Sequence, residues 1–316
     1  MICVTQLACH GPMRVCSRMG YTLMSSNIRA ILVCLVSYVC FDIMSVHVRL
    51  LSQTYSPQEL SVYRNILGVL PSIALLAYTR ELSFRWQDYK ITQWKLAFSR
   101  GLFVAVAQLL FYTALANLEL ATVSALGQTN AIFVVILAVI FFRETVGAWR
   151  WAAVVIGFIG ALLIIRPGSD VFTWTSLMPI GAAFCYAASM VALRSFHSGI
   201  SSAILYLYSA VSAAFGAIVL AFWTTEFSAI HNIVDAALIL SMSLFGGFGV
   251  VFLMYAFRNA PASVLAPFSY FGILSAFLFG WIIFGEFPID TLFPGVLLII
   301  ASGVIIVWRE RRIKHQ

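Results

Sequence analysis

Ten apolar runs follow one another along this chain, each near the ~20 residues an α-helix needs to span a bilayer, and short polar turns separate them. They predict helices over about Ile28–Val48, Pro57–Tyr78, Gln93–Leu115, Leu120–Phe142, Trp149–Ile165, Leu177–Leu193, Ser202–Trp223, Ala236–Phe257, Pro261–Phe284 and Leu292–Trp308. Pro57 suits a helix start, and Arg166-Pro167-Gly168 is a strong stop. The chain is 62% hydrophobic and 10% charged, where a soluble domain carries roughly 25% charged residues. Such a composition cannot cover a water-facing surface, so an all-α polytopic membrane protein is expected.

Within this series one stretch repeats. Phe111–Glu144 holds a helix end, a short turn and a full helix, and it aligns without a gap on Leu253–Glu286. The shift is 256 − 114 = 142 positions, placing Ala114 on Ala256, Asn117 on Asn259, Ile140 on Ile282, Phe142 on Phe284 and Glu144 on Glu286. A shared pattern of this length points to internal duplication. The expected division is a first repeat over 27–168 and a second over 174–311, flanked by a cytosolic amino-terminal segment, 1–26, expected to be poorly ordered, and a cytosolic tail, 312–316. A start of translation at Met24 would give a compact lead into the first helix.

Basic residues set the orientation. With the amino terminus in the cytosol, 16 of the 19 Lys and Arg fall inside, among them Arg80, Arg85, Lys90, Lys95, Arg100, Arg143 and the Arg309–Lys314 tail. Arg49 and Arg166 fall outside, and Arg64 lies within the membrane. Both termini are then cytosolic. Five helices separate each element from its copy, and an odd number reverses its direction, so the duplication is a 5+5 inverted repeat. Such repeats build carriers whose halves exchange shapes around a central site.

The candidate site follows from polar groups that lipid would exclude. Asp42 lies about six residues before the outer end of the first helix, roughly 9 Å deep, and Arg64 lies at a similar depth on the second. They are expected to bind a zwitterionic or anionic solute or to trade partners; the structural alternatives are a fixed ion pair or a snorkelling Arg64. Gln128, Thr129 and Asn130 cover most of a helical turn, and Ser269 and Tyr270 hold matching positions in the second copy. Gln128, Asn130, Tyr270, Tyr38 and Tyr186 therefore join the expected cargo-binding set, and interhelical hydrogen bonding is the competing role. Gln108, Ser189, Ser243 and Tyr255 are supporting candidates. Gly246 and Gly249 offer a hinge or a close-packing seat. The six cysteines form no CxxC pair, the histidines are scattered, and no phosphate loop or HExxH occurs, so neither cofactor nor metal nor catalysis is expected. The basic residues form no stripe for nucleic acid.

In order and spacing the chain resembles the ten-helix drug/metabolite transporter superfamily, in the group with two EamA-type domains. The resemblance covers about Asn27–Arg311. It rests on Arg64, Arg100-Gly101, FYTALANLELATVSAL, FFRE with Gly157, Gly160 and RPG, MYAFRNAPASVLAPFSYFGILSAFLFGWIIFGEFP and GVLLIIASGVIIVWRER. It implies carriage of amino acids, nucleotide-derived metabolites, vitamins such as riboflavin or other small organic solutes, often outward. The family commonly has a proline near the middle of helix four, where this chain has Gln128-Thr129-Asn130. Glu144 and Glu286 close helices, and a structural role in capping a helix start or meeting an Arg is expected for both. The resulting expectation is an inner (plasma) membrane exporter of an amino acid or related metabolite. The alternatives are an importer of a vitamin or nucleotide-like metabolite and, in another class, a non-transporting receptor or scaffold. Proton coupling, and monomer against homodimer, stay open.

Overall fold

The fold is described from a computed structural model, which covers residues 13–83, 85–143, 147–166, 173–196, 200–260 and 265–313. Its helices are α1 (Met13–Leu51), α2 (Pro57–Leu67), α3 (Val69–Tyr78), α4 (Trp94–Asn117), α5 (Leu120–Gly127), α6 (Asn130–Phe142), α7 (Ala148–Ile165), α8 (Met178–Ala192), α9 (Ser202–Thr224), α10 (Ile233–Asn259), α11 (Phe271–Phe284), α12 (Ile289–Leu292) and α13 (Gly295–Ile313). The first helix reaches back to Met13, well ahead of the expected start at Ile28.

Among the described residues, seven helical stretches are long and apolar enough to cross a membrane. They are Ile28–Leu51, Pro57–Tyr78, Trp94–Asn117, Leu120–Phe142, Trp174–Ala192, Ala203–Thr224 and Ile233–Phe257. The apolar helices Trp151–Ile165, Phe268–Phe284 and Gly295–Ile305 are shorter. The chain is thus a multi-pass membrane protein. Its outward side chains fit that solvent: Leu32, Ile140, Phe141, Val155, Phe215, Phe222, Leu274 and Ile282 are all exposed. The buried side is rich in small residues, including Ala105, Ala107, Ala114, Ala187, Ala213 and Ala217. Lipid gives apolar side chains no reason to turn inward, and small residues let helices approach closely.

Three of the apolar runs are broken, each for a local reason. Between α2 and α3 the chain turns at Gly68; Pro71 cannot donate to the carbonyl a turn earlier, which ends the α-helical ladder. Between α5 and α6 the break falls at Gln128 and Thr129, where a continuous helix was expected. The backbone tightens there to i→i+3 bonds, Gln128 to Ala125 at 3.2 Å and Thr129 to Leu126 at 3.1 Å. The fully buried Thr129 hydroxyl donates to the same Leu126 carbonyl at 2.6 Å, and such back-bonding competes with the helix and bends it. The 3₁₀ turn Ala266–Tyr270 leads into α11 at the corresponding level.

The principal packing partners are α1 with α10, α4 with α8 and α9, α2 with α9 and α10, α6 with α8, α1 with α11, α5 with α11, and α7 with α13. The α7–α13 seam is the tightest. A Cβ on Gly160 would lie 2.7 Å from the Gly295 carbonyl oxygen, and one on Gly295 would lie 2.5 Å from that of Gly160. Further along it, the Ser302 hydroxyl donates to the Ala153 carbonyl at 2.7 Å.

Candidate functional site

Two polar clusters occupy the interior, and a third set of contacts closes one end of the bundle. The first cluster surrounds Asp42. It is 7% exposed on α1 and accepts a hydrogen bond from the Ser275 hydroxyl of α11. Ser275 also reaches the Phe271 carbonyl of its own helix at 3.1 Å. Tyr38, one turn before Asp42, lies in electrostatic reach of Tyr270, and the Tyr270 ring stands over the bare backbone of Gly303 on α13. The Gln128 side-chain amide donates to the Ser269 carbonyl at 3.1 Å, tying the break between α5 and α6 to the 3₁₀ turn before α11. Asn130 donates to the Met190 sulfur at 3.6 Å, and its own side-chain oxygen is buried with no partner among the described residues. Tyr38, Asp42, Gln128 and Tyr270 thus meet on neighbouring elements.

The second cluster surrounds Arg64. It is 9% exposed on α2, and its guanidinium makes long contacts to the Asn65 side chain at 3.4 Å and to the Gly246 carbonyl at 3.5 Å. The hydroxyls of Tyr112 on α4, Tyr186 on α8 and Tyr206 on α9 lie within electrostatic reach of it. Tyr206 also donates to the Gly247 carbonyl at 3.4 Å, and Tyr112 to the Met44 sulfur at 3.7 Å. Asp42 and Arg64 are therefore not joined in an ion pair. No carboxylate of a described residue lies within 4.0 Å of the Arg64 guanidinium. The fixed ion pair, the structural alternative, is therefore not formed: α11 brings a hydroxyl to Asp42, while α10 brings the Gly246 carbonyl to Arg64.

Gly246 and Gly249 serve close approach along an uninterrupted α10. A Cβ on Gly246 would lie 2.6 Å from the Met44 sulfur, and one on Gly249 would lie 2.9 Å from the Phe41 ring. The Ser37 hydroxyl donates to the Gly249 carbonyl at 2.7 Å.

At the end of the bundle where α1 finishes, Arg49 pairs with Glu286, the residue just past α11, and also donates to the Leu118 carbonyl. Its guanidinium stands 5.0 Å from the centre of the Phe284 ring. The Glu286 carboxylate accepts the Leu120 N–H at 3.1 Å, satisfying a free donor at the start of α5 where a negative charge is favoured. Burial pushes the Glu286 carboxyl above the usual carboxylate range, against the lowering pull of the Leu120 N–H and Arg49. Glu119 adds bonds to the hydroxyls of Thr122 at 3.0 Å and Thr291 at 3.3 Å. Nearby, Glu59 and Ser56 form a capping box that starts α2. Glu144, the other closing glutamate, lies outside the described residues. The opposite end carries a cavity of about 660 Å³, lined in part by Arg80, Glu81, Lys90, Thr92 and Ser201.

Sequence reasoning missed Tyr206, Tyr112, Ser275 and Arg49. Tyr206 is one of several tyrosines in apolar runs, and its sequence position alone did not single it out. Ser275 carried no signal, since a lone serine in an apolar helix is ordinary. Among the described residues no group of three or more His, Cys, Asp or Glu could hold a metal ion.

Comparison with known proteins adds a family match over most of the chain. The model of the EamA-like transporter family matches residues 28–166 and again 173–308. An uncharacterized transporter of Helicobacter pylori is 28% identical over 86% of this chain and 92% of its own length. A riboflavin transporter of Vibrio cholerae is 29% identical over 61% of this chain and 64% of its own. An S-adenosylmethionine uptake transporter of Rickettsia conorii is 26% identical over 67% of this chain and 71% of its own. A solved crystal structure covers 90% of this chain and 98% of its own with a TM-score of 0.62 at 15% identity, a likeness of fold.

Proposed function

Because the chain belongs to the EamA-like transporter family, and so moves a small organic solute across a membrane as a secondary transporter rather than an enzyme, we propose that it takes up a vitamin- or nucleotide-like metabolite by alternating access in the inner (plasma) membrane. The relatives whose cargo is named, riboflavin and S-adenosylmethionine, favour this reading over the export of an amino acid. Both cargoes join a flat heterocycle to a polyhydroxylated chain or ring. The interior of this chain offers a matching mixture of tyrosine rings and hydrogen-bonding groups. The observation that carries the reading is the convergence of Asp42, Arg64, Tyr112, Tyr186, Tyr206 and Tyr270 from separate helices on a buried interior.

The architecture proposed for this cycle has ten spans in a 5+5 inverted repeat with both termini cytosolic. Several contacts support it. Exchanging each helix with its counterpart five spans on carries α1–α10 onto α8–α4 and α1–α11 onto α8–α6, while α2–α9, α5–α11 and α7–α13 map onto themselves. At the residue level, the contact of Ala153 with Ser302 becomes that of Gly295 with Gly160, since 153 + 142 = 295 and 160 + 142 = 302. The Asp42–Ser275 contact becomes Phe184–Phe133, an edge-on ring pair at 5.5 Å. The duplication thus conserves where the halves touch while changing the chemistry on one side, which suits an asymmetric cargo.

Counterflow into proteoliposomes loaded in turn with riboflavin, S-adenosylmethionine, nucleosides and amino acids, with and without a pH gradient, tests the reading. Saturable exchange of a vitamin- or nucleotide-like solute is expected. Exchange of amino acids alone would return the function to the amino acid reading.

A further inference from the structure

Arg64 is a buried cation whose hydrogen-bonding capacity is largely unspent. A guanidinium has five N–H donors in a fixed fork. Here the contacts to Asn65 and Gly246 are long, at 3.4 and 3.5 Å, the Tyr112 hydroxyl is a further hydrogen-bonding neighbour, and the Nε donor is buried with no partner among the described residues. No described carboxylate stands within ion-pair distance. A charge at this depth, about 10 Å along the helix from Pro57, is costly unless something compensates it. The Nε faces Gly246: a Cβ there would come within 3.2 Å of it. The absence of a side chain there lets α10 pass close to this donor without supplying it an acceptor.

The surroundings are tuned to one sign of ligand. The carbonyls of Gly246 and Gly247 hold Arg64 and Tyr206 at 3.5 and 3.4 Å, long contacts that a better acceptor would displace. The Tyr186 hydroxyl is a further donor within electrostatic reach, while the Tyr112 hydroxyl donates to Met44 and faces Arg64 with its oxygen. Asp42, the nearest acidic candidate by depth, is engaged by Ser275 instead. A guanidinium fork with tyrosine hydroxyls beside it suits a planar or tetrahedral oxyanion.

We propose that Arg64 is the receptor for an anionic group of the cargo, a carboxylate or a phosphate, with Tyr206 as its companion donor. The proposal rests on the reading of the buried interior as the cargo site, and it narrows the cargo to metabolites that carry such a group. The neutral form of a vitamin would then be a poorer substrate than its phosphorylated or carboxylated relative.

The test uses the full chain in nanodiscs, with intrinsic fluorescence read at constant ionic strength. Inorganic phosphate, acetate and the neutral analogue acetamide are titrated separately. At least one anion is expected to saturate the wild-type signal while acetamide does not, and the anion that binds more tightly identifies the group. Arg64→Gln should weaken that binding by at least roughly tenfold, the scale of one lost charge-assisted bond, with Arg64→Lys between the two. If neither anion saturates the wild-type protein, or if acetamide matches them, the proposal falls without reference to any variant. An unchanged affinity in folded Arg64→Gln would also overturn it. The counterflow screen can still succeed with a neutral solute, so the two failures are distinguishable.

Discussion

Asp42 keeps a partner without keeping a counter-charge, and that decides how its variants should behave. The side-chain oxygen of an asparagine can still accept from the Ser275 hydroxyl, whereas alanine leaves space and no acceptor. Ser275 would not be orphaned, because it also donates to Phe271. Asp42→Asn should therefore fold with near wild-type stability, and Asp42→Ala should cost about 1–3 kcal/mol, mainly through lost packing and desolvation balance. If Asp42 carries a proton in the cycle, counterflow by Asp42→Asn will lose its response to a pH gradient while equilibrium exchange persists. Glu286 makes a second case. With its carboxyl raised by burial, the folded state takes up a proton at higher pH than the unfolded chain does. Stability then falls as pH rises through that window, and the charge that holds Arg49 is lost as pH falls through it. Mild acid should loosen the contact without unfolding the protein. A cysteine replacing Leu118, beside Arg49, should react faster with a membrane-impermeant thiol reagent in mild acid than at neutral pH. Glu286→Gln should remove that pH dependence. The candidate residues themselves were legible from the sequence because each is a polar group in an apolar run. Their partners were not, because a pattern of charge and depth cannot tell which neighbouring helix supplies a serine or a carbonyl.

The helices were largely legible, since membrane length and apolar composition leave little choice, but the breaks within Pro57–Tyr78 and Leu120–Phe142 were not read, both runs being expected as continuous helices. Proline-bearing Val69–Tyr78 carries an audible stop. The break between α5 and α6 lacks proline and depends on one hydroxyl, that of Thr129, which any serine or threonine in a membrane helix could equally direct elsewhere. Thr129→Val keeps the shape and removes the back-bond to Leu126. It should straighten this region, weaken the Gln128–Ser269 contact and slow counterflow several-fold, with a stability change of about 1 kcal/mol or less. The glycines were visible as packing seats, though their partners were hidden. Gly303→Ala would drive a methyl into the Tyr270 hydroxyl, which lies 1.1 Å from the Cβ position. Overpacking of this kind costs about 1–3 kcal/mol. Tyr270→Ala in the same chain removes the colliding ring, so thermal unfolding of the double variant should show less than the sum of the single losses.

For the whole molecule, the internal shift of 142 residues was the most productive reading, because it constrains contacts as well as helices. Under the proposed inverted repeat it pairs the Asp42–Ser275 contact with Phe184–Phe133. A carrier built this way must close one end while the other admits solute. At one end a set of contacts joins Arg49 of α1, the Leu118–Leu120 turn and Glu286 beyond α11. The cavity lined by Arg80, Lys90 and Ser201 lies at the other end. If the Arg49–Glu286 contact is a gate, the cycle needs it broken once per turnover; if it is only a brace, the cycle can run with it fixed. Replacing both residues by cysteine separates the two cases. Oxidised Arg49→Cys/Glu286→Cys protein should lose counterflow almost completely, and a reductant should restore it. Each single variant should keep exchanging under the same oxidant. Anion binding at Arg64 should survive the cross-link if the site stays reachable from the cavity end, so arrested transport with retained binding is the expected signature of a gate. Full transport through a verified cross-link would assign Arg49 and Glu286 to bracing alone.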